Sequence, residues 1–296
     1  MGADTPTNRR LRQGGLSALP LFLGAASLAD GAAEAYVGRR KDPAVNQSSE
    51  PIFNIPAVII AAIAVFAGIH IFRSLVLDAG QDLELLMLFA FIPARYDTAL
   101  LLGGAWPGGI GAQVWTFVSY ALIHADITHL AINSLWFVPF GSAVARRFGT
   151  ARFLLFFAAT AAAGAGAHLI THAGEVFPVI GASAAVSGMM AAAIRFAFQP
   201  HGPIALWQQK DERAYHIGAL PLLSALRDPR IFVFLVVWFG LNLLFGLGSP
   251  TLLGAGQSIA WEAHIGGFLA GLLLFSFFDP VPRTTLGQER GEDLPQ

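Results

Sequence analysis

The chain has 296 residues, 55% hydrophobic and 12% charged, with a mean hydropathy of +0.59 and a formal net charge of −1. Ordinary soluble domains carry about 25% charged residues, so this balance excludes a typical soluble globule and points to an integral membrane protein. The near-zero charge leaves no footprint for a nucleic-acid partner, and the lack of cysteine excludes disulfides and thiolate ligands.

Residues 1 to about 55 read as a mostly polar tail. Its one apolar stretch, "LSALPLFLGAASLA" at 16–29, follows Arg9, Arg10 and Arg12 but is too short to span. It suits an interfacial helix better than a signal peptide. A bilayer core about 30 Å thick needs roughly 20 apolar residues in a helix. Six segments are candidates, at about 56–76, 127–145, 153–171, 181–194, 231–247 and 262–278. The stretch "LELLMLFAFIP" at 83–93 is too short and is expected to lie in the interface between the first two spans. No internal repeat of the solenoid or transporter kind is visible. The fold expected is an all-α bundle of six membrane helices over residues 56–280, followed by a C-terminal tail, 281–296.

The 18 Lys and Arg residues set the orientation. Sixteen fall on one side of this arrangement, in the N-terminal tail, the link between spans two and three, the link between spans four and five, and the C-terminal tail. Only Arg73 and Arg95 fall on the other. Cytoplasmic loops carry the Lys/Arg excess, so both termini are expected in the cytoplasm. Spans two, four and six then run inward, and their first residues share the outer end. Those starts hold His129 and Asn133, Ser183, and His264.

Polar groups within a membrane are costly and often functional. A serine becomes a nucleophile when an adjacent base takes its proton, and histidine is the usual base. Acyl transfer also needs donors aimed at the developing oxyanion. Ser183 as nucleophile, His264 as base, and His129 with Asn133 as oxyanion donors fit those roles. The last two are spaced i, i+4 on one helix face. A helix start adds free N–H groups and a positive dipole end. The fourth segment, Gly181 to Ile194, is only about 21 Å long at 1.5 Å per residue, so its start should be sunk below the outer surface. In the sixth, Gly267 and Gly271 continue the His264 face as a GxxxG stripe. Ser183, Ser187 and Ala191 offer a small face to meet it. Each feature alone has a plainer reading. Serine in a Gly/Ala helix is ordinary packing, Asn133 alone is helix glue, and His70 or His168 can simply bond a carbonyl or line a cavity. No role follows for His172, His201 or His216. His124 either belongs to the site or orients the loop before span two. What distinguishes the set is convergence at one depth of complementary chemical types.

These residues resemble the rhomboid intramembrane serine proteases over roughly 56–280. "VWTFVSYALIHADITHLAINSLWFVPFGSAVARRFG" is similar to the family's segment leading into its second helix, with H-x-x-x-N at His129 and Asn133. "GASAAVSG" resembles the G-x-S-x-x-x-x-G segment of the nucleophile, Ser183, with Gly181 ahead of it. "AHIGGFLAG" is similar to A-H-x-x-G-x-x-x-G, with His264 as base and Gly267 and Gly271 in support. The resemblance implies a six-helix core, a Ser–His dyad, an acyl-enzyme, no cofactor and no metal. It also implies cleavage of transmembrane protein substrates in or near the lipid bilayer. Three positions depart from the family's pattern. Ala184 stands where glycine is usual, Ser187 where an aromatic often packs on the catalytic ring, and Trp115-Thr116 where Trp-Arg is typical. The rivals are a non-catalytic relative that binds membrane clients, which absence of Ser or His would favour, and a transporter, which internal repeats would favour. The Ala, Gly and Arg content suits a GC-rich bacterium, so a bacterial inner membrane is the expected location. Substrate identity and oligomeric state do not follow from the sequence.

Overall fold

The computed structural model describes residues 55–97, 106–199, 202–203, 212–247 and 260–282. The interfacial reading of 16–29, the C-terminal tail beyond 282 and His201 lie outside the described residues. Among the described residues there are nine α-helices and three short 3-10 turns, with no strand beyond one isolated antiparallel bridge between Phe91 and Val179. The helices are α1 (Ala57–Leu75), α2 (Ala79–Phe89), α3 (Gly109–Ser119), α4 (Ile127–Phe148), α5 (Thr150–Thr171), α6 (Ser183–Ala193), α7 (Leu222–Arg227), α8 (Pro229–Leu247) and α9 (Trp261–Phe278).

Four of them, α1, α4, α5 and α9, are long and apolar enough to cross a membrane. The helix α6 and the apolar stretch Pro229–Leu244 of α8 are shorter. The expected spans coincide with α1, α4, α5, α6, α8 and α9 to within a few residues. The segment expected in the interface is α2 with the turn Pro93–Tyr96. Its start is set by a capping box, in which Asp78 Oδ1 accepts from Gly80 and Gln81 while Gln81 Oε1 accepts from Asp78 N–H. The helix α3 was not among the expected elements, because a single short apolar face carries no span signal. Its Trp115 Nε1 donates to the Leu88 carbonyl at 2.8 Å, fastening it to α2.

The short α6 occupies the centre. Every residue from Ala184 to Ala193 is buried, and α4, α5 and α9 surround it. Small residues make this possible. A Cβ on Gly267 or Gly271 would run into the backbone of Ala184 or Gly188, and one on Gly188 would meet Thr160. Interfaces of this kind depend on residues that let backbones touch. The face of α6 that meets the glycine stripe is thus Ala184/Gly188. It is offset by one residue from the expected Ser183/Ser187 face, because contact this close leaves no room for a side chain with a γ atom.

The end of the bundle away from Ser183 is closed by Arg147, which is fully buried on α4. Its guanidinium grips both carboxylate oxygens of Asp279 after α9 (2.8 and 2.9 Å) and donates to the carbonyls of Tyr215 and Ile217. Phe196 lies under it at 4.5 Å. A buried charge needs this degree of pairing to be tolerated.

Candidate active site

Asp126 caps α4, its carboxylate accepting the His129 N–H at 2.9 Å. This cap fixes the first turn that carries His129 and, one turn on, Asn133. The Ala125 N–H points at His129 Nδ1 at 3.3 Å, so Nδ1 is the acceptor and the ring proton resides on Nε2. That Nε2–H lies against Gly181. A Cβ built on Gly181 would be 2.7 Å from His129 Nε2 and 3.8 Å from Ser183 Oγ, and the residue has φ +118, which side-chain-bearing residues rarely adopt. Gly181 is therefore required both for its backbone shape and for the space it leaves between imidazole and hydroxyl. The Gly181 N–H donates to the Tyr120 carbonyl at 3.0 Å, anchoring the segment that leads into α6.

The helix α6 begins at Ser183, two residues later than expected, with Ala182 as its cap. Its first bond of the i→i−4 kind from beyond the cap is Val186 N–H to Ala182 C=O at 2.9 Å. The N–H groups of Ser183, Ala184 and Ala185 precede it and have no carbonyl within the helix. Ser183 is half-buried, while Ser187 is buried and donates its hydroxyl to the Ser183 carbonyl at 2.8 Å.

Ser183 Oγ and His264 Nε2 are 2.7 Å apart, joining α6 to the first turn of α9 across 81 residues of sequence. Asn242, on α8, decides which atom holds the proton. Its Nδ2 donates to the Trp238 carbonyl at 2.7 Å, which turns Oδ1 toward His264 Nδ1, the two forming a hydrogen bond. An amide oxygen only accepts, so Nδ1 carries the hydrogen and Nε2 has its lone pair free for the serine O–H. That tautomer can take a proton from Ser183. Sequence reasoning had not singled out Asn242. Its hydrogen bond orients the His264 ring.

Asn133 is buried and uses one of its two amide N–H donors on the His129 carbonyl at 2.9 Å. His124 is fully buried, its ring 5.2 Å from both Phe66 and His129. Burial, followed by the neighbouring imidazoles of His129 and His70, pushes its pKa down to about 3, so the ring is neutral. The His124 carbonyl accepts from Arg73 at 2.8 Å, and Arg73 also grips Asp82 of α2. His124 thus buttresses the His129 ring and ties the loop before α4 to α1 and α2. Of the departures from the pattern, Ala184 is accommodated by Gly164 on α5, where any Cβ would strike the Ala184 methyl. Thr116 is buried and donates to Ala112 C=O, and the guanidinium in this region belongs to Arg95, which reaches the carbonyls of Pro107 and Met87.

A family model described as Rhomboid domain matches residues 111–279. The chain is 23% identical to "Rhomboid-like protease 3" of Toxoplasma gondii over 224 residues, 73% of each chain. It is 25% identical to "Rhomboid protease GlpG" of Haemophilus influenzae over 168 residues, covering 57% of this chain and 71% of that one. It is 28% identical to "Rhomboid protease GluP" of Bacillus subtilis over 155 residues, covering 52% of this chain but only 26% of that protein's length.

Proposed function

Since the chain belongs to the rhomboid family of integral membrane proteins, we propose that it is an active intramembrane serine protease that cleaves transmembrane protein substrates. The observation that carries this reading is the 2.7 Å contact between Ser183 Oγ and His264 Nε2 in the tautomer that accepts a proton. Ser183 Oγ attacks the scissile carbonyl carbon while its proton passes to His264 Nε2. The tetrahedral oxyanion forms against the His129 Nε2–H, the remaining Asn133 N–H and the Ser183 backbone N–H. Collapse expels the amine, protonated by His264, and leaves an acyl-enzyme. Water then attacks the ester, gives its proton to His264, and Ser183 departs with the proton restored. No other group need be recruited for these proton transfers. The direct test is incubation of the purified protein with a panel of transmembrane substrates beside Ser183→Ala. Cleavage by the parent alone supports the reading. Stable binding without cleavage would instead favour the non-catalytic relative.

All six of α1, α4, α5, α6, α8 and α9 cross the bilayer in this reading, residues 56–280 forming the protease domain. The helix α6 is 11 residues, about 16 Å, against a core of about 30 Å. A helix start sunk in this way puts Ser183 within the membrane but in reach of water. The 16-to-2 charge split supports cytoplasmic termini in a bacterial inner membrane. Reporter fusions at residues 78–110 are expected to read external and those at 205–225 cytoplasmic. The reverse pattern would remove the common depth on which the site depends.

Two further substitutions report on the roles assigned. Asn133→Ala is expected to lower kcat by roughly 10²–10³-fold, the range for loss of one oxyanion donor. Unchanged cleavage with lowered thermal stability would reduce Asn133 to helix glue. Asn242 acts through His264. As the imidazolium forms, the Asn242 hydrogen bond becomes one to a charged group, worth about 1.5–3 kcal/mol, or roughly 10–150-fold in rate. Asn242→Ala should therefore lower kcat by that factor with KM unchanged, whereas a purely structural Asn242 would lower the thermal midpoint and leave kcat per folded molecule intact.

A further inference from the structure

Two histidines meet a carboxylate at the seam between α5 and α9: His168, which the sequence reads as bonding a carbonyl or lining a cavity, and His172, to which it assigns no role. His168 lies in the last turn of α5 and His172 caps it, their rings stacked 4.1 Å apart and 11° from parallel. Glu262, in the first turn of α9, faces both. Its Oε2 is 3.9 Å from His168 Nδ1 and its Oε1 is 3.8 Å from His172 Nε2. These separations are too long for hydrogen bonds. His168 is 6% exposed, and its Nδ1 has no hydrogen-bond partner. An unpartnered nitrogen buried to that degree and aimed at a carboxylate 3.9 Å away leaves a gap of the size an ion fills.

The proton positions favour a cation. Thr171 Oγ1 is 3.2 and 3.1 Å from the carbonyls of Ala167 and His168, and a hydroxyl has only one hydrogen to give them. With that hydrogen on a carbonyl, Thr171 Oγ1 accepts from His172 Nδ1, 2.8 Å away. His172 Nε2 is left as a lone pair directed at Glu262, an arrangement in which the second ring nitrogen is held by an outer partner as metal-binding histidines commonly are. The negative end of the α5 dipole adds to the attraction for positive charge.

We propose that His168, His172 and Glu262 form a binding site for a divalent transition-metal cation of the zinc class, bridging α5 and α9. The three ligand atoms lie within 4.8 Å of one another. Bonds of about 2.0–2.2 Å in a tetrahedron bring such atoms to about 3.3 Å, a closure within reach of side-chain rotation, with water as the fourth ligand. Two imidazoles and one carboxylate suit zinc and its neighbours better than magnesium or calcium, which prefer oxygen alone. This departs from the expectation of no metal drawn from the family resemblance. The ion would pin the first turn of α9, where His264 follows two residues after Glu262 and which leads into Gly266, packed against Ala163 and Ala167. The site stands on its own geometry and does not depend on protease activity.

The test uses the tag-free full chain in detergent, stripped with a chelator and titrated with Zn²⁺ against a chromophoric competitor. One equivalent is expected to bind and to raise the thermal midpoint by mass action. His172→Ala and the isosteric Glu262→Gln should each weaken binding at least about 10-fold, with metal-free midpoints close to the parent's. His264→Ala should retain the equivalent, and Mg²⁺ should not replace it. No stoichiometric binding would overturn the proposal. So would binding that survives both substitutions, or binding lost in His264→Ala but kept in His172→Ala.

Discussion

Ser183→Ala is expected to abolish both substrate cleavage and labelling by a serine-directed fluorophosphonate, while Ser187→Ala retains labelling. The two hydroxyls lie one helical turn apart, and their surroundings differ in three ways that act together. Ser183 Oγ is 2.7 Å from an imidazole nitrogen able to take its proton, whereas Ser187 Oγ has given its hydrogen to the Ser183 carbonyl. The Ser183 N–H precedes the first bond of the helix and is available to an oxyanion, whereas the Ser187 N–H falls within the helical ladder. Ser183 is half-buried at the mouth of α6, and Ser187 is buried behind it. In the proposed mechanism its loss removes covalent chemistry altogether, and in serine hydrolases loss of the nucleophile costs on the order of 10⁶-fold in kcat. Labelling is read by fluorescence on a gel. Loss only in Ser187→Ala would overturn the assignment.

The membrane helices were legible in the sequence because apolar runs of the right length have few other uses. The sequence grouped their polar residues by expecting alternate spans to return to one side, and the structure brings Ser183 and His264 of that group within 2.7 Å. The same logic reaches Asn242 as well. The helix α8 runs opposite to α9, so a polar residue late in α8 arrives at the end where α9 begins. One asparagine in a run such as "IFVFLVVWFGLNLLFGL" also has an ordinary packing reading, which masks that signal. Which faces touch was less legible. The glycine stripe of α9 meets Ala184 and Gly188 rather than the serines, since the closest backbone approach selects residues with the least side chain. The helix α3 escaped notice because an 11-residue helix with exposed Val114 and Trp115 has neither the length of a span nor a clean polar face. The triad of His168, His172 and Glu262 was also beyond sequence reasoning. Two of its members are one turn apart, but the third is 90 residues on and arrives only through the packing of α9 on α5.

His264→Ala is expected to bring cleavage down to the Ser183→Ala background while leaving the fold intact. A serine hydroxyl without a base stays protonated and is a weak nucleophile. The replacement also removes the proton donor for the departing amine, so formation and collapse of the tetrahedral intermediate both suffer. The fold should survive because α9 is held by the contacts of Gly266, Gly267 and Gly271 with α5 and α6 and by Asp279 on Arg147, none of which involves the imidazole. Residues that act as one unit are strongly non-additive. The double variant Ser183→Ala/His264→Ala should therefore cleave no more slowly than either single variant. Thermal unfolding in detergent checks that the protein is intact, and a quantitative cleavage assay on one transmembrane substrate gives the rates. Residual cleavage in His264→Ala well above that of Ser183→Ala would mean that another group takes the serine proton. His129, whose ring lies across Gly181 from Ser183 Oγ, could do so only with its proton moved from Nε2 to Nδ1, and cleavage that vanished only on adding His129→Ala would transfer the role of base to it.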